Sequence, residues 1–325
     1  MLTFPLNVYV ITFLAAALAA GMSLPAWRQF AARAGLVDDP GHRKIHGEPV
    51  PLAGGLAVLT GLLLPTAAAV ALLFFGTVHL PSPEALSYGL EKRALQLGAI
   101  LGGAMAMVVL GILDDRFELQ PAAKFLGQFM VALAVAGSGV RITLFVPSVV
   151  FSYFVTVLWI LTVTNAFNFM DNMNGLCGGL GAISAWFFFL NAAQAGQYLV
   201  AMLALLIAGA LLGFLPYNFP SAKTFLGDSG SHLVGYLMAV LAILPHFYTR
   251  QNPRPFAVFD PLLILAVPLL DLLCVVWIRW RLGKPFYLGD TNHLSHRLVG
   301  RGWSRSQAVL LIWLLSIALA TFSLF

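Results

Sequence analysis

The sequence predicts an all-α, polytopic integral membrane protein of about ten transmembrane helices, and three observations predict it. First, 60% of the 325 residues are hydrophobic and only 10% are charged, against roughly 25% charged in a soluble domain. Second, apolar runs recur from end to end, at lengths near the ~20 helical residues that cross a hydrocarbon core of ~30 Å. Third, the basic residues are sorted between alternate loops. Lys92, Arg93, Arg141, Arg250 and Arg254 fall in even-numbered loops, and the other thirteen of the eighteen Lys and Arg fall in odd-numbered ones. By the positive-inside rule the odd loops are cytoplasmic and both termini face out.

The ten runs lie at 5–27, 51–76, 94–113, 123–138, 147–165, 175–193, 197–215, 230–245, 258–280 and 307–325. No basic segment precedes Leu6 and the first run is long, so it reads as a retained helix rather than a cleaved leader. The fourth and eighth runs are short for a span and are expected to tilt or to be shielded by neighbours. No internal repeat or domain boundary interrupts residues 1–325, which read as one domain. Cys177 and Cys274 sit inside apolar runs, with no CxxC pair, zinc spacing or disulfide framework. The basic residues are spread over membrane-edge loops, which argues against nucleic acid as a partner.

Acidic residues do not obey the positive-inside rule, yet nine of the thirteen gather on the same face as the odd loops. That gathering is a signal of chemistry. Asp114 and Asp115 stand side by side at the mouth of the third run, where two carboxylates stay ionised only if a cation offsets their repulsion. Between the fifth and sixth runs, Asn165-Ala166-Phe167-Asn168-Phe169-Met170-Asp171-Asn172-Met173-Asn174-Gly175 places five amide and acid side chains within ten positions. Helix capping accounts for one or two such residues, so a polar pocket is the better reading. Phe225-Leu226-Gly227-Asp228-Ser229-Gly230-Ser231 opens the eighth run, after Pro216-Tyr217-Asn218-Phe219-Pro220. N–H groups at a helix start favour anions, and Asp228 meets a phosphate only through a cation, for which magnesium fits.

After the ninth run comes Asp290-Thr291-Asn292-His293-Leu294-Ser295-His296-Arg297. Two histidines three apart can share a helical face, but with no cysteine or third ligand nearby, phosphate contacts with Arg297 and Arg301 are favoured over zinc. Arg279, Arg281 and Lys284 read mostly as positive-inside anchors. Asp271, near the middle of the ninth run, would cost roughly 2.5–3.5 kcal/mol facing lipid, so it faces protein or water, as a buried hydrogen-bond partner or along a lipid path.

Taken together these stretches resemble the polyprenyl-phosphate N-acetylhexosamine-1-phosphate transferase family over nearly the whole chain. The likeness includes Leu36-Val37-Asp38, His46 with Pro51-Leu52-Ala53-Gly54-Gly55, and Asp114-Asp115-Arg116-Phe117-Glu118. Arg116 and Glu118 look like the WecA branch; the MraY branch has lysine where Glu118 stands. The resemblance implies an all-helical bundle in the cytoplasmic (inner) membrane with its site facing the cytoplasm. It also implies transfer of N-acetylhexosamine 1-phosphate, best GlcNAc-1-phosphate, from a UDP-sugar to undecaprenyl or another polyprenyl phosphate, releasing UMP. Magnesium is the implied cofactor, with manganese as the alternative ion, and a homodimer is the implied assembly. By position, Asp228 would hold the metal, with Asp115 as its second ligand. Asp114 and Asp115 would engage the lipid phosphate. Asn168, Asp171, Asn174, Asn218 and Phe225 would line the nucleoside pocket, with Phe225 stacking on uracil. His293, His296, Arg297 and Arg301 would hold the diphosphate.

Two departures stand out. The family's DGxDG is Asp171-Asn172-Met173-Asn174-Gly175 here, and its HxHH carries Ser295 in the middle. They leave open an inactive, lipid-binding scaffold. A polytopic transporter with Asp271 as its coupling acid is the other rival, although transport sites tend to lie near midplane between repeated halves.

Overall fold

The computed structural model describes residues 3–38, 49–75, 83–144, 146–245, 257–285, 287 and 290–325. Asp39, His42, His46 and Glu48 of the first long loop, with Arg250 and Arg254, lie outside the described residues.

Each of the ten apolar runs carries a helix, and the helices differ in kind. Helix α1 spans Leu6–Ala34, α2 Gly54–Phe74, α3 Pro83–Phe117, α4 Pro121–Gly137, α5 Val149–Met170, α6 Leu176–Gln194 and α7 Tyr198–Phe214. They are followed by α8 at Gly227–Leu241, α9 at Asp260–Ile264, α10 at Ala266–Arg281, α11 at Leu294–Gly300 and α12 at Arg305–Thr321. Seven segments, those of α1, α2, α3, α5, α6, α7 and α12, are long and apolar enough to cross a membrane alone; α9 with α10 makes an eighth if counted as one bent span.

Local chemistry sets the ends. Gly35 closes α1 in the left-handed region (φ 66°), its N–H reaching the carbonyls of Ala31 and Ala32. Pro121 starts α4 where its missing N–H costs nothing. Ser148 caps α5, and Ser304 with Gln307 forms a reciprocal capping box on α12.

Two expectations need correcting. The ninth run is not one straight helix: α9 and α10 meet at a 69° bend. Pro268 has no N–H to offer the carbonyl of Ile264 one turn back; the buried Ser184 hydroxyl donates to that carbonyl instead, at 3.3 Å. Nor are the described residues all helical or loop. Val37–Asp38 (β1) pairs antiparallel with Val50–Pro51 (β2), and Leu52 bridges to Phe225. Extended backbone at Val50–Pro51 leads into α2, which starts at Gly54.

Helix α8 is the axis of the bundle. At 15 residues it is only ~22 Å long at ~1.5 Å per residue, short of a hydrocarbon core. It has no need to meet lipid: α2, α3, α5, α6 and α7 pack around it, and every residue of α8 except Asp228 is buried. Gly111 of α3 and Gly55 of α2 make the approach to its first turn possible, since a Cβ on either would collide with the backbone of Ser229 or its neighbours. The outer helices show the opposite face. Ile11, Leu14, Leu18 and Met22 on α1, and Val150, Phe154 and Leu158 on α5, are exposed at helical spacing, the pattern of lipid-facing surface.

Segments from all five odd-numbered loops gather at one end of the bundle. Arg116 donates to the Gly35 carbonyl, Phe225 N–H to the Pro51 carbonyl, Asn174 to the Pro220 carbonyl and Ser295 to Asn172.

Candidate active site

The adjacent acids that end α3 have different surroundings. Asp115 turns toward the start of α8, where the N–H groups of Asp228 and Ser229 donate to its two oxygens at 2.8 and 3.1 Å. Asp171, just past α5, lies beside the Gly227 N–H. Two of the four free N–H groups that open any helix are therefore met here by the protein's own carboxylate. The anion that this helix start meets is an internal carboxylate, Asp115. Asp171 is part-exposed at the surface, yet the protein packed around it, and then Asp228, Asp115 and Asp38, push its carboxyl up to about 8.

Asp114 faces the other way. One of its oxygens lies 2.6 Å from Lys124 Nζ, in the first turn of α4, and the same ammonium is 3.4 Å from Asp228 Oδ1. Asn168 donates to Asp228 Oδ1 at 2.5 Å and to the Ser231 hydroxyl at 2.9 Å. Asp228 is thus held between α4 and α5, across from Asp114, with a cation between the two acids. Ligand atoms of Asp114, Asp228 and His232 all lie within 4.8 Å of one another, the one such cluster of three metal-ligating groups among the described residues. Two carboxylates and an imidazole are a donor set that suits a divalent cation. The structure joins Asp228 to Asp114 and His232 rather than to Asp115, whose oxygens serve the backbone.

The expected nucleoside-pocket residues divide. Asn168 positions Asp228. Asn218 is buried and committed: its oxygen accepts the Gly175 N–H at 2.6 Å and its amide donates to the Thr224 carbonyl at 2.9 Å. Asn174 donates to the Pro220 carbonyl at 3.2 Å, which an aspartate there could not do. Phe225 remains part-exposed, its backbone tied to Pro51 and Gly54.

A second cluster lies beyond α10. Asp271 is only 4% exposed; one oxygen lies 2.7 Å from His293 Nδ1 and the other accepts the Leu294 N–H at 2.7 Å. Arg279, 1% exposed, pairs with Asp290 at 2.9 Å and lies over the Phe169 ring, whose edge meets His293. Arg279 is thus a buried structural cation and not a membrane anchor. Burial would raise Asp290, but hydrogen bonds from Arg279 and Asn292 outweigh it and hold its carboxyl at about 2. Burial, and then His293 and Arg305, lower the pKa of His296. Arg297 and Arg301 are exposed and make no ion pair among the described residues. An apolar crevice of about 110 Å³ opens between α10 and α12, with Asp271 and Arg297 in its wall.

Comparison with known proteins decides the family. Residues 97–246 match the profile of glycosyl transferase family 4. Over 314 residues, 94% of this chain and 81% of the relative, the chain is 32% identical to a probable undecaprenyl-phosphate N-acetylglucosaminyl 1-phosphate transferase of Bacillus subtilis. The chain belongs to the polyprenyl-phosphate sugar-1-phosphate transferase family. It is also 32% identical over 337 residues to the decaprenyl-phosphate N-acetylglucosaminephosphotransferase of Mycobacterium tuberculosis, covering 95% of this chain and 80% of that one. A more distant member, the undecaprenyl-phosphate alpha-N-acetylglucosaminyl 1-phosphate transferase of Yersinia pestis, is 29% identical over 306 residues, 90% of this chain and 77% of the relative.

Two residues of the site, Lys124 and His232, carry no signal that the motifs above single out. Lys124 was counted only as a basic loop residue. His232 lies four residues after Asp228, a spacing that puts both on one face of a helix and could have flagged it. Asp271 is the buried hydrogen-bond partner its position suggests, but its pairing with His293 has no local signal, because 22 residues separate them.

Proposed function

We propose that this protein transfers N-acetylglucosamine 1-phosphate from UDP-N-acetylglucosamine to undecaprenyl or a related polyprenyl phosphate, releasing UMP. The observation that carries the reading is the pair of carboxylates, Asp114 and Asp228, facing each other across Lys124 at the end where the odd loops meet. Both reactants are anionic, so the site must offset their repulsion and hold them in line; positioning then supplies much of the rate. Asp114 and Asp228 would hold a magnesium or manganese ion, which would supply positive charge beside the phosphates. A lipid phosphate oxygen attacks the sugar-linked phosphorus, and the bond to the UMP oxygen breaks. Lys124 stands where it can meet a phosphate. Asp114 is the member of the adjacent pair left to act near the lipid headgroup, since Asp115 is occupied by α8. His293, fixed by Asp271, has its Nε2 for the diphosphate, and Arg297 and Arg301 lie on the following turns.

The chain works as one domain with ten crossings and the site end in the cytoplasm. Segments of all five odd loops meeting at one end, with thirteen basic residues among those loops, support this. Shielding by neighbours allows α8, and tilting allows α4, to cross while short. The transporter reading loses its coupling acid, because Asp271 is engaged by His293 and Leu294. The scaffold reading weakens too: Asn174 and Ser295, the two departures, are each taken up in a local hydrogen bond.

The test is UMP release by detergent-purified protein given undecaprenyl phosphate, a divalent cation and a panel of UDP-sugars. Release with UDP-N-acetylglucosamine that depends on lipid and metal and vanishes in Asp228→Asn is expected. Folded protein that releases no UMP from any donor would overturn the reading.

A further inference from the structure

His232 is fully buried in α8, 0% exposed, and neither of its ring nitrogens has a hydrogen-bond partner among the described residues. A buried polar group left unpaired costs about 1–3 kcal/mol, and native structures keep few of them without a reason. An imidazole also offers one donor and one acceptor, so this one forgoes two bonds. It is not misplaced in an apolar wall. One of its nitrogens lies within 4.8 Å of an oxygen of Asp114 and of an oxygen of Asp228. Asp228 and His232 are four residues apart on α8 and present one helical face to the end of α3. Glycines let α3 and α2 close around that face.

We propose that His232 is a metal ligand, the third with Asp114 and Asp228, and that this nitrogen makes the site favour manganese over magnesium. The inference rests on the reading that the catalytic cation lies between α3 and α8. Magnesium sites are built from oxygen and keep several waters, whereas imidazole suits transition ions. A site of two carboxylates and one imidazole therefore binds Mn²⁺ more tightly than Mg²⁺, and the imidazole carries that difference. The ammonium of Lys124, which bridges Asp114 and Asp228, gives way to an ion of twice its charge.

The experiment is Mn²⁺ binding to the full-length detergent-purified protein, with and without UDP-N-acetylglucosamine, read by electron paramagnetic resonance. Pulsed measurements report nitrogen bound directly to the ion, and ¹⁵N-histidine labelling shows whether it is histidine. The wild type is expected to show histidine nitrogen coupling, with Mg²⁺ displacing the ion only in large excess. In His232→Leu the coupling should vanish and Mn²⁺ affinity fall by about tenfold or more, with the preference over Mg²⁺ narrowed. His232→Gln serves if the leucine variant does not fold, and the labelled wild type needs no variant. Mn²⁺ bound through Asp228 without nitrogen coupling would overturn the role of His232 and leave the cation site standing. No Mn²⁺ bound by the wild type in either condition would overturn both.

Discussion

The two acids that end α3 are neighbours in sequence, yet the fold gives them opposite work. Asp115 is spent on structure, accepting two backbone N–H groups that open α8. Asp114 is turned toward a cation and a second acid. One carboxylate builds the wall and the other looks into the site. The difference teaches that a run of acids at a helix mouth is not a set of equivalent ligands: orientation about the helix, one residue apart, decides which one faces the second acid.

The sharpest way to break that comparison is Asp228→Asn. Turnover should fall by a thousandfold or more, equivalent to about 4 kcal/mol, while thermal stability without metal holds or rises, because one of two facing acids is gone. Asp115→Asn should behave in the reverse order. Losing charge-assisted bonds worth about 1.5–3 kcal/mol each lowers the melting temperature by several degrees, and activity falls along with it. Equal stability of the two variants in a thermal scan would remove the distinction. Lys124→Met tests the cation between the acids: Mn²⁺ affinity should rise several-fold by titration, since the ion no longer displaces an ammonium.

A pH profile sharpens the role of the neighbouring acid, Asp171. The Asp171 carboxyl is pushed up to about 8 in the folded protein, above the 3.8 of a free carboxyl, so between these values the folded state holds a proton that the unfolded state has lost. Stability therefore falls as pH rises through that window and levels off above it. Asp171→Asn should flatten that part of the melting-temperature profile, measured without metal. The smallest effect is expected for Ser295→Ala, which removes one hydrogen bond at 2.6 Å to Asn172, worth about 1 kcal/mol; a large loss of turnover there would show that the joint also positions His293.

Much of the fold was legible before any coordinates. Hydrocarbon thickness fixes the length of an apolar run, so all ten helical segments could be placed from their composition. Alternation of basic loops likewise paired the ends that the structure brings together. The bend at Leu265 was less legible, although Pro268 was in view, because the rescue of the freed carbonyl comes from Ser184 on another helix. The strand pair at residues 37–38 and 50–51 was missed because each partner is two residues long, too short for a period to show.

By itself the sequence determined that this chain is a membrane bundle, which loops share a face, and which stretches gather the acids, amides and histidines. Those follow from one-dimensional quantities: run length, charge sorting and residue type. Only the tertiary structure decided that Asp115 caps α8, that Asp114 meets Asp228 through Lys124, that Asp271 holds His293, and that His232 points unpaired into the acidic cluster. Each of those depends on which side of a helix faces which neighbour, and a carboxylate reads the same in sequence whether it accepts a backbone N–H or a cation.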